Sequence, residues 1–186
     1  MKRMAMLLLL TLPCALSAAE AEVTLKGVSM PAAMQLEGKK LELNGMGLRT
    51  KVVFKVYVAG LYLEKTSSDG LEIAASEQVK RMELVFLRGV DGADVAKAIA
   101  DGFVNNAGPE LPALKDRIAK FEKLIPDVKK GDKLLFLYRP GAGLELQANG
   151  KPAGSIEGKD FADALFRVWL GPKPSDKALK NGLLGL

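Results

Sequence analysis

The stretch Leu43–Leu63, Leu-Asn-Gly-Met-Gly-Leu-Arg-Thr-Lys-Val-Val-Phe-Lys-Val-Tyr-Val-Ala-Gly-Leu-Tyr-Leu, is the longest β-type run in the chain and constrains its fold more than any other segment. Valine, tyrosine and phenylalanine dominate its second half, the composition of a pleated, half-buried surface. With the two-residue period of a strand, Val52, Phe54, Val56 and Val58 share one face, and Lys51, Lys55 and Tyr57 fall on the other. The segment reads as the central strand of a sheet whose first face is apolar from end to end. Gly60 interrupts it just before Tyr62, where a missing side chain lets a backbone, a helix or a ligand come close.

The N-terminus reads as a secretory signal: Lys2 and Arg3, the apolar run Met4 to Leu12, then Ser17-Ala18-Ala19 as a small-residue cleavage site, with a second candidate cut after Ala21. The expected location is therefore periplasmic or secreted, with residues 1–19 as signal peptide and 20–186 as one domain. Cys14 is the only cysteine and lies inside the signal, and Pro13 before it does not suit lipoprotein acylation. A mature chain without cysteine has to be held by its core, which is feasible at this length. Nothing after the signal is long and apolar enough for a transmembrane helix. The formal net charge is +5, of which Lys2 and Arg3 account for two. The lysines are spread and mixed with acids, so no nucleic-acid stripe is present, and weak attraction to an anionic membrane surface has no further support. There is no histidine. With the cysteine gone as well, the usual general base and the common zinc and copper ligands are missing, and no metal or cofactor is expected.

Along the chain, Ala21–Ser29 has the β-formers of a first strand closed by Pro31, and Met34–Leu43 continues as extended chain. A short helix is expected within Leu71–Gln78 and a strand over Lys80–Leu87. Two helices follow, with stripes Val95, Ile99, Phe103, Val104 and Leu114, Ile118, Phe121, Ile125, separated by Asn105-Asn-Ala-Gly-Pro109. Asp132–Tyr138 is a strand, with Tyr138 and Arg139 expected at the surface. Asn149-Gly150 between Leu144–Gln147 and Ala153–Ile156 is the strongest hairpin signal in the chain. Lys159–Leu170 is a helix with Phe161, Leu165 and Trp169 on one side, and Ser175 is expected to cap a last helix. Strands, then helices, then strands and terminal helices make an α+β fold, an antiparallel sheet covered on one side by helices, an open-faced β-sandwich. No repeat or linker divides it.

Asn44-Gly45-Met46-Gly47-Leu48-Arg49, Phe54-Lys55-Val56-Tyr57 and Gly60-Leu61-Tyr62-Leu63-Glu64 resemble the Gly-x-Gly-x-Arg … Gly-Val-Tyr-Leu-Glu segment of the chalcone isomerase family. The tail Leu165-Phe-Arg-Val-Trp-Leu-Gly-Pro-Lys-Pro-Ser resembles that family's closing helix. The resemblance implies the chalcone isomerase-like fold. In the true isomerases a conserved arginine, which matches Arg49, stabilises the attacking phenolate. Their sheet threonine falls on Tyr57, their helix tyrosine and asparagine near Val95 and Gly102, and their closing-helix threonine near Val168. Those helix positions are apolar or empty here, so the polarity that the isomerisation needs is largely missing. The fatty-acid-binding branch keeps an arginine and a tyrosine to hold a carboxylate. On that branch's pattern, Arg49, Tyr57 and Tyr62 are the candidate ligand-binding residues, and no catalytic residue is assigned.

One geometric condition applies. Arg49 and Tyr57 are eight residues apart, which along one straight strand is roughly 26 Å. Sharing a ligand requires the chain to reverse near Thr50–Val53, where no Gly, Asn or Pro marks a turn. Among the other polar residues, Asn105 and Asn106 read as a helix end, and Glu110, Asp116 and Glu122 as a solvated face with Lys115, Lys120 and Lys123. Trp169 reads as core. Three functions follow: an exported, non-catalytic binder of a fatty acid or similar amphipathic carboxylate; an isomerase or intramolecular lyase acting on an enone; or a structural, partner-binding envelope protein whose pocket is filled by its own side chains. The sequence sets no oligomeric state.

Overall fold

The computed structural model describes residues 21–186; the signal peptide expected at residues 1–19, with Cys14, lies outside the described residues. Nine strands and five helices follow in the order β1 (Glu22–Leu25), β2 (Val28–Pro31), β3 (Ala33–Leu36), β4 (Lys39–Lys51), β5 (Phe54–Leu63), α1 (Gly70–Ala75), β6 (Lys80–Phe86), α2 (Gly92–Asn106), α3 (Leu111–Glu122), β7 (Lys133–Arg139), β8 (Gly143–Ala148), β9 (Lys151–Ile156), α4 (Lys159–Leu170) and α5 (Lys177–Leu183). Strands β3 to β9 form one antiparallel sheet in sequence order, and β1 and β2 form a separate hairpin. The fold is α+β, with helices packed on one side of an antiparallel sheet. Tyr57, Ala59, Leu61 and Leu63 of β5, Leu84 and Phe86 of β6 and Phe136 of β7 face those helices and share a core with Phe103, Phe121, Phe161, Leu165 and Trp169. The other side of the sheet carries a smaller cluster, Leu41, Tyr62, Val85 and Leu137, over which the β1–β2 hairpin lays Met30.

The run from Leu43 to Leu63 is not one central strand. It is the second half of β4, a two-residue turn at Val52-Val53, and the whole of β5, with Lys51 paired to Phe54 and Arg49 to Tyr57. The apolar face expected from Val52 to Val58 is overturned for the same reason. Val52, Val53 and Phe54 stand at the hairpin tip, 88%, 77% and 57% exposed. The helix-facing period runs instead through Tyr57, Ala59, Leu61 and Leu63. The turn was invisible because its first residue, Val52, takes φ +58° without being Gly or Asn. A β-branched residue at positive φ is strained. The first strand expected at Ala21–Ser29 is likewise a hairpin, turning at Lys26-Gly27.

Two glycines of β4 hold α5 against the sheet. A Cβ on Gly47 would fall on the carbonyl oxygen of Leu179, and one on Gly45 would crowd the carbonyls of Gly182 and Leu183. Gly182 faces back onto the Met46 carbonyl and the Gly47 Cα. Helix and strand therefore meet backbone to backbone, which only glycine permits. At a bulge between Leu43 and Gly45, Asn44 donates its Nδ2 to the Leu183 carbonyl at 2.8 Å and accepts the Ser67 N–H at 2.8 Å, tying the C-terminal end of α5 to the β5–α1 loop.

Two outcomes are expected in chemical denaturation. Gly47→Ala should cost about 1–3 kcal/mol as an overpacked contact that α5 must move to relieve. Val52→Gly should instead raise stability by roughly 1 kcal/mol by relaxing the turn; a loss in Val52→Gly would show that the turn is not strained.

Candidate functional site

Between the β4–β5 hairpin, the end of β6, the first turns of α2 and the closing helix α4 lies a cavity of about 550 Å³. Its inner wall is apolar: Val56, Leu84 and Phe86 from the sheet, Val95, Ala98 and Ile99 from α2, and Val168 and Trp169 from α4. Polar groups come from Arg49 and Tyr57, and, nearer the loops, Lys51, Arg88, Asp91, Asp94 and Ser175.

The hairpin brings Arg49 and Tyr57 together as directly paired residues on the helix side of the sheet. The reversal near Thr50–Val53 that a shared ligand requires is present. Tyr57 is buried, its ring packed edge-on against Phe86 with centroids 5.5 Å apart. Its hydroxyl accepts the Trp169 Nε1–H at 3.0 Å. Among the described residues that hydroxyl has no acceptor for its own proton. Burial pushes the phenol up to about 12, against the opposing pull of the Trp169 hydrogen bond and the Arg49 charge, so Tyr57 is a proton donor in hydrogen bonds rather than a base.

Arg49 donates one Nη to the Thr50 carbonyl at 2.8 Å and lies 3.4 Å from Asp176 Oδ2. Its Nε and second Nη have no acceptor among the described residues, so one edge of the guanidinium is open to a ligand. Asp176 fixes this corner. One of its oxygens accepts the Thr50 N–H at 3.0 Å, and the other caps α5 through the Leu179 N–H at 3.0 Å. Burial resists ionisation of Asp176, but the two amides and the nearby Arg49 outweigh it and hold the carboxyl below its ordinary value.

Tyr62, the third candidate, is not at this cavity. It is buried on the opposite side of the sheet, in the cluster under the β1–β2 hairpin, and its hydroxyl donates to the Pro31 carbonyl at 2.9 Å. The strand period explains the correction: Tyr57 and Tyr62 are an odd number of residues apart on β5 and must face opposite ways. Trp169 is core, as expected from its helix stripe, but it also orients Tyr57. Asp176 was missed; the signal was Ser175-Asp176 ahead of the helix, where either residue suits an N-cap and the aspartate takes it. The positions matching the isomerases' helix residues are apolar. Val95 and Val168 line the cavity, and Gly102 sits against the Val168 side chain so closely that a Cβ there would collide with it. Among the described residues no group of three or more His, Cys, Asp or Glu could hold a metal, and no helix is long and apolar enough to cross a membrane.

The chain belongs to the chalcone isomerase-like family, whose profile matches residues 22–185. Among solved structures it is similar to a fatty-acid binding protein of Arabidopsis thaliana at 17% identity, with a TM-score of 0.74 over 88% of this chain and 96% of that one. That likeness extends through sheet and helices alike and shows the shared fold. No curated protein matches the sequence.

Because the Asp176 carboxyl ionises more readily folded than unfolded, it stabilises the fold above the ordinary carboxylate range, near pH 4, and that contribution is lost as pH falls through its lowered folded-state value. Asp176→Asn should melt below the wild type at neutral pH. The gap in thermal midpoint should narrow on acidification below about pH 4; a gap independent of pH would assign Asp176 a role in shape alone.

Proposed function

We propose that this protein is an exported, non-catalytic carrier that binds a fatty acid or a similar amphipathic carboxylate in the cavity between sheet and helices. The observation that carries the reading is the pairing of Arg49 and Tyr57 at one pole of a cavity whose inner wall is apolar, each with a hydrogen-bond donor that no group among the described residues takes up. The open edge of the guanidinium suits a carboxylate held by two parallel hydrogen bonds, and the Tyr57 hydroxyl adds a third donor. Methylenes then lie along Val56, Phe86, Ile99 and Val168, each contributing about 0.8 kcal/mol when buried. A volume of about 550 Å³ falls within the ordinary range of small-molecule sites, roughly 300–1,000 Å³. The fatty-acid binding protein of Arabidopsis thaliana, with the same fold, supports the choice of ligand. Export rests on Lys2, Arg3, the apolar run Met4–Leu12 and Ser17-Ala18-Ala19.

Two observations weigh against the rivals. An open cavity beside Arg49 argues against a pocket plugged by its own side chains. The apolar Val95 and Val168, together with a Gly102 that has no room for a side chain, leave the positions that match the isomerases' helix residues without the polar groups that an enone cyclisation draws on.

Native mass spectrometry of protein purified from its exporting host, followed by organic extraction, tests the reading. The wild type should release an acyl carboxylate, and its measured mass should begin after Ala19 or Ala21. Arg49→Ala should be folded and empty, whereas Tyr57→Phe should bind roughly tenfold or more weakly through loss of one hydrogen bond to a charged group. Equal ligand retention in the wild type and Arg49→Ala would overturn the proposal.

A further inference from the structure

The hairpin tip at the rim of the cavity departs from local physics in three ways at once. It exposes three consecutive large apolar residues, Val52, Val53 and Phe54, at 88%, 77% and 57%. It puts a valine at φ +58°, the first position of a two-residue hairpin turn with positive φ, where glycine is favoured. And it surrounds that apolar tip with cations. Lys51 and Lys55 flank it in sequence, and the Arg88 guanidinium stacks on the Phe54 ring at 4.8 Å. All three are exposed, and among the described residues none is paired with a carboxylate. Lys129 and Lys130 are exposed at the same end of the sheet, on the turn whose Gly131 N–H is bonded to the Phe86 carbonyl. Backbone strain that a single glycine would relieve, kept in order to present an apolar side chain, points to a use for that side chain.

We propose that the β4–β5 tip docks this protein onto an anionic lipid bilayer. Val52, Val53 and Phe54 enter the interface, while Lys51, Lys55 and Arg88 lie among the anionic headgroups. An exposed apolar wedge ringed by unpaired cations has the two components that interfacial binding combines, apolar burial and attraction to anionic lipid. Residues of the same tip, Lys51, Val52, Phe54 and Arg88, line the cavity, so docking places its mouth at the bilayer. The lining is not uniformly cationic. Asp91 and Asp94 at the start of α2 also contribute to it, which makes the hairpin with Arg88 the side that faces the lipid. On the binding function proposed above, the docked protein exchanges an acyl carboxylate with the membrane without releasing it to water; the docking itself does not depend on that reading.

Flotation of the purified protein with vesicles of phosphatidylcholine, or of phosphatidylcholine mixed with phosphatidylglycerol, tests the proposal. The wild type should float with the mixed vesicles and much less with phosphatidylcholine alone, and high salt should weaken binding. Lys55→Gln should lower partition roughly fivefold at low salt. Val53→Asp should abolish flotation, and the milder Val53→Ser should reduce it in case the aspartate disturbs the turn. Val53 does not line the cavity, so both variants should keep their ligand in native mass spectrometry. Arg49→Ala should do the reverse, losing ligand while floating like the wild type; this separates a failure of docking from a failure of the binding function. A wild type that stays behind with mixed vesicles, or a Val53→Asp that floats as well as the wild type, overturns the proposal. So does a wild-type dimer that Val53→Asp converts to monomer without any vesicle binding, since the tip would then serve a second copy of the chain.

Discussion

The cavity exists in its present form because β4 and β5 pair in one particular register. In that register Gly45 and Gly47 turn toward α5, Arg49 and Tyr57 turn toward the cavity, and Gly60 turns the other way, under Met30. A slip of one residue would exchange the faces of every side chain on the strand. Met46 and Leu48 would then be driven into the backbone of α5, and Arg49 would leave the cavity for the far side of the sheet. The glycines that seat the terminal helix are thus also what keeps the arginine in place. The bulge at Asn44 and the shift between Arg49 and Thr50 adjust the strand locally, and each is tied to α5, through the Leu183 carbonyl and through Asp176 respectively.

Several polar groups in the interior are held by more than one neighbour. Tyr57 leans on Trp169 and faces the Arg49 charge, and Asp176 bonds two amides while lying near the same arginine. Away from the cavity, Lys80 at the start of β6 is wholly buried. Its ammonium donates to the Ala74 and Ser76 carbonyls at 2.6 and 3.0 Å, at the C-terminal end of α1, and sits over the rings of Tyr138 and Phe166. Burial pulls it down to about 8 even with Asp163 nearby. A cation there satisfies carbonyls that a short helix leaves open, so its desolvation is offset by bonds that no apolar residue could make.

The sequence was most informative where local signals agree with tertiary demands. The α4 stripe, the Asn149-Gly150 hairpin and the order of strands and helices follow from periodicity and turn chemistry, and the structure has them. It was least informative where a functional or packing need overrides propensity. Val52-Val53 reads as strand because valine is a β-former, and only the pairing of Arg49 with Tyr57 shows that the chain turns there. Tyr138, expected at the surface, is buried because the loop after α1 brings Glu77 within 3.1 Å of its hydroxyl and β6 lays Lys80, its cross-strand partner, over its ring, contacts between residues remote in sequence. Arg49 and Tyr57 could be named from the residues that resemble the family. Their meeting depends on the turn, and Asp176 lies more than a hundred residues further along, so no local pattern joins it to them.

A cavity with one polar pole and long apolar walls treats its ligand unevenly, and that bears on what it can do. On the binding function proposed above, the pole fixes where a carboxylate sits. The walls respond to apolar area, so affinity grows with each methylene buried until the mouth is reached. Catalysis asks for the opposite distribution, with donors placed where charge develops during the reaction and bound more strongly then than before. In this chain Arg49 and Tyr57 converge on one point, the helix positions Val95, Gly102 and Val168 offer no polar group, and the charged Arg88, Asp91 and Asp94 line the cavity nearer the loops. On the binding function proposed above, such a site holds a carboxylate at that pole. The same unevenness bears on the mouth: on the binding function proposed above, a ligand held by its head inside has its tail toward the hairpin tip, the part of the molecule that is apolar and exposed.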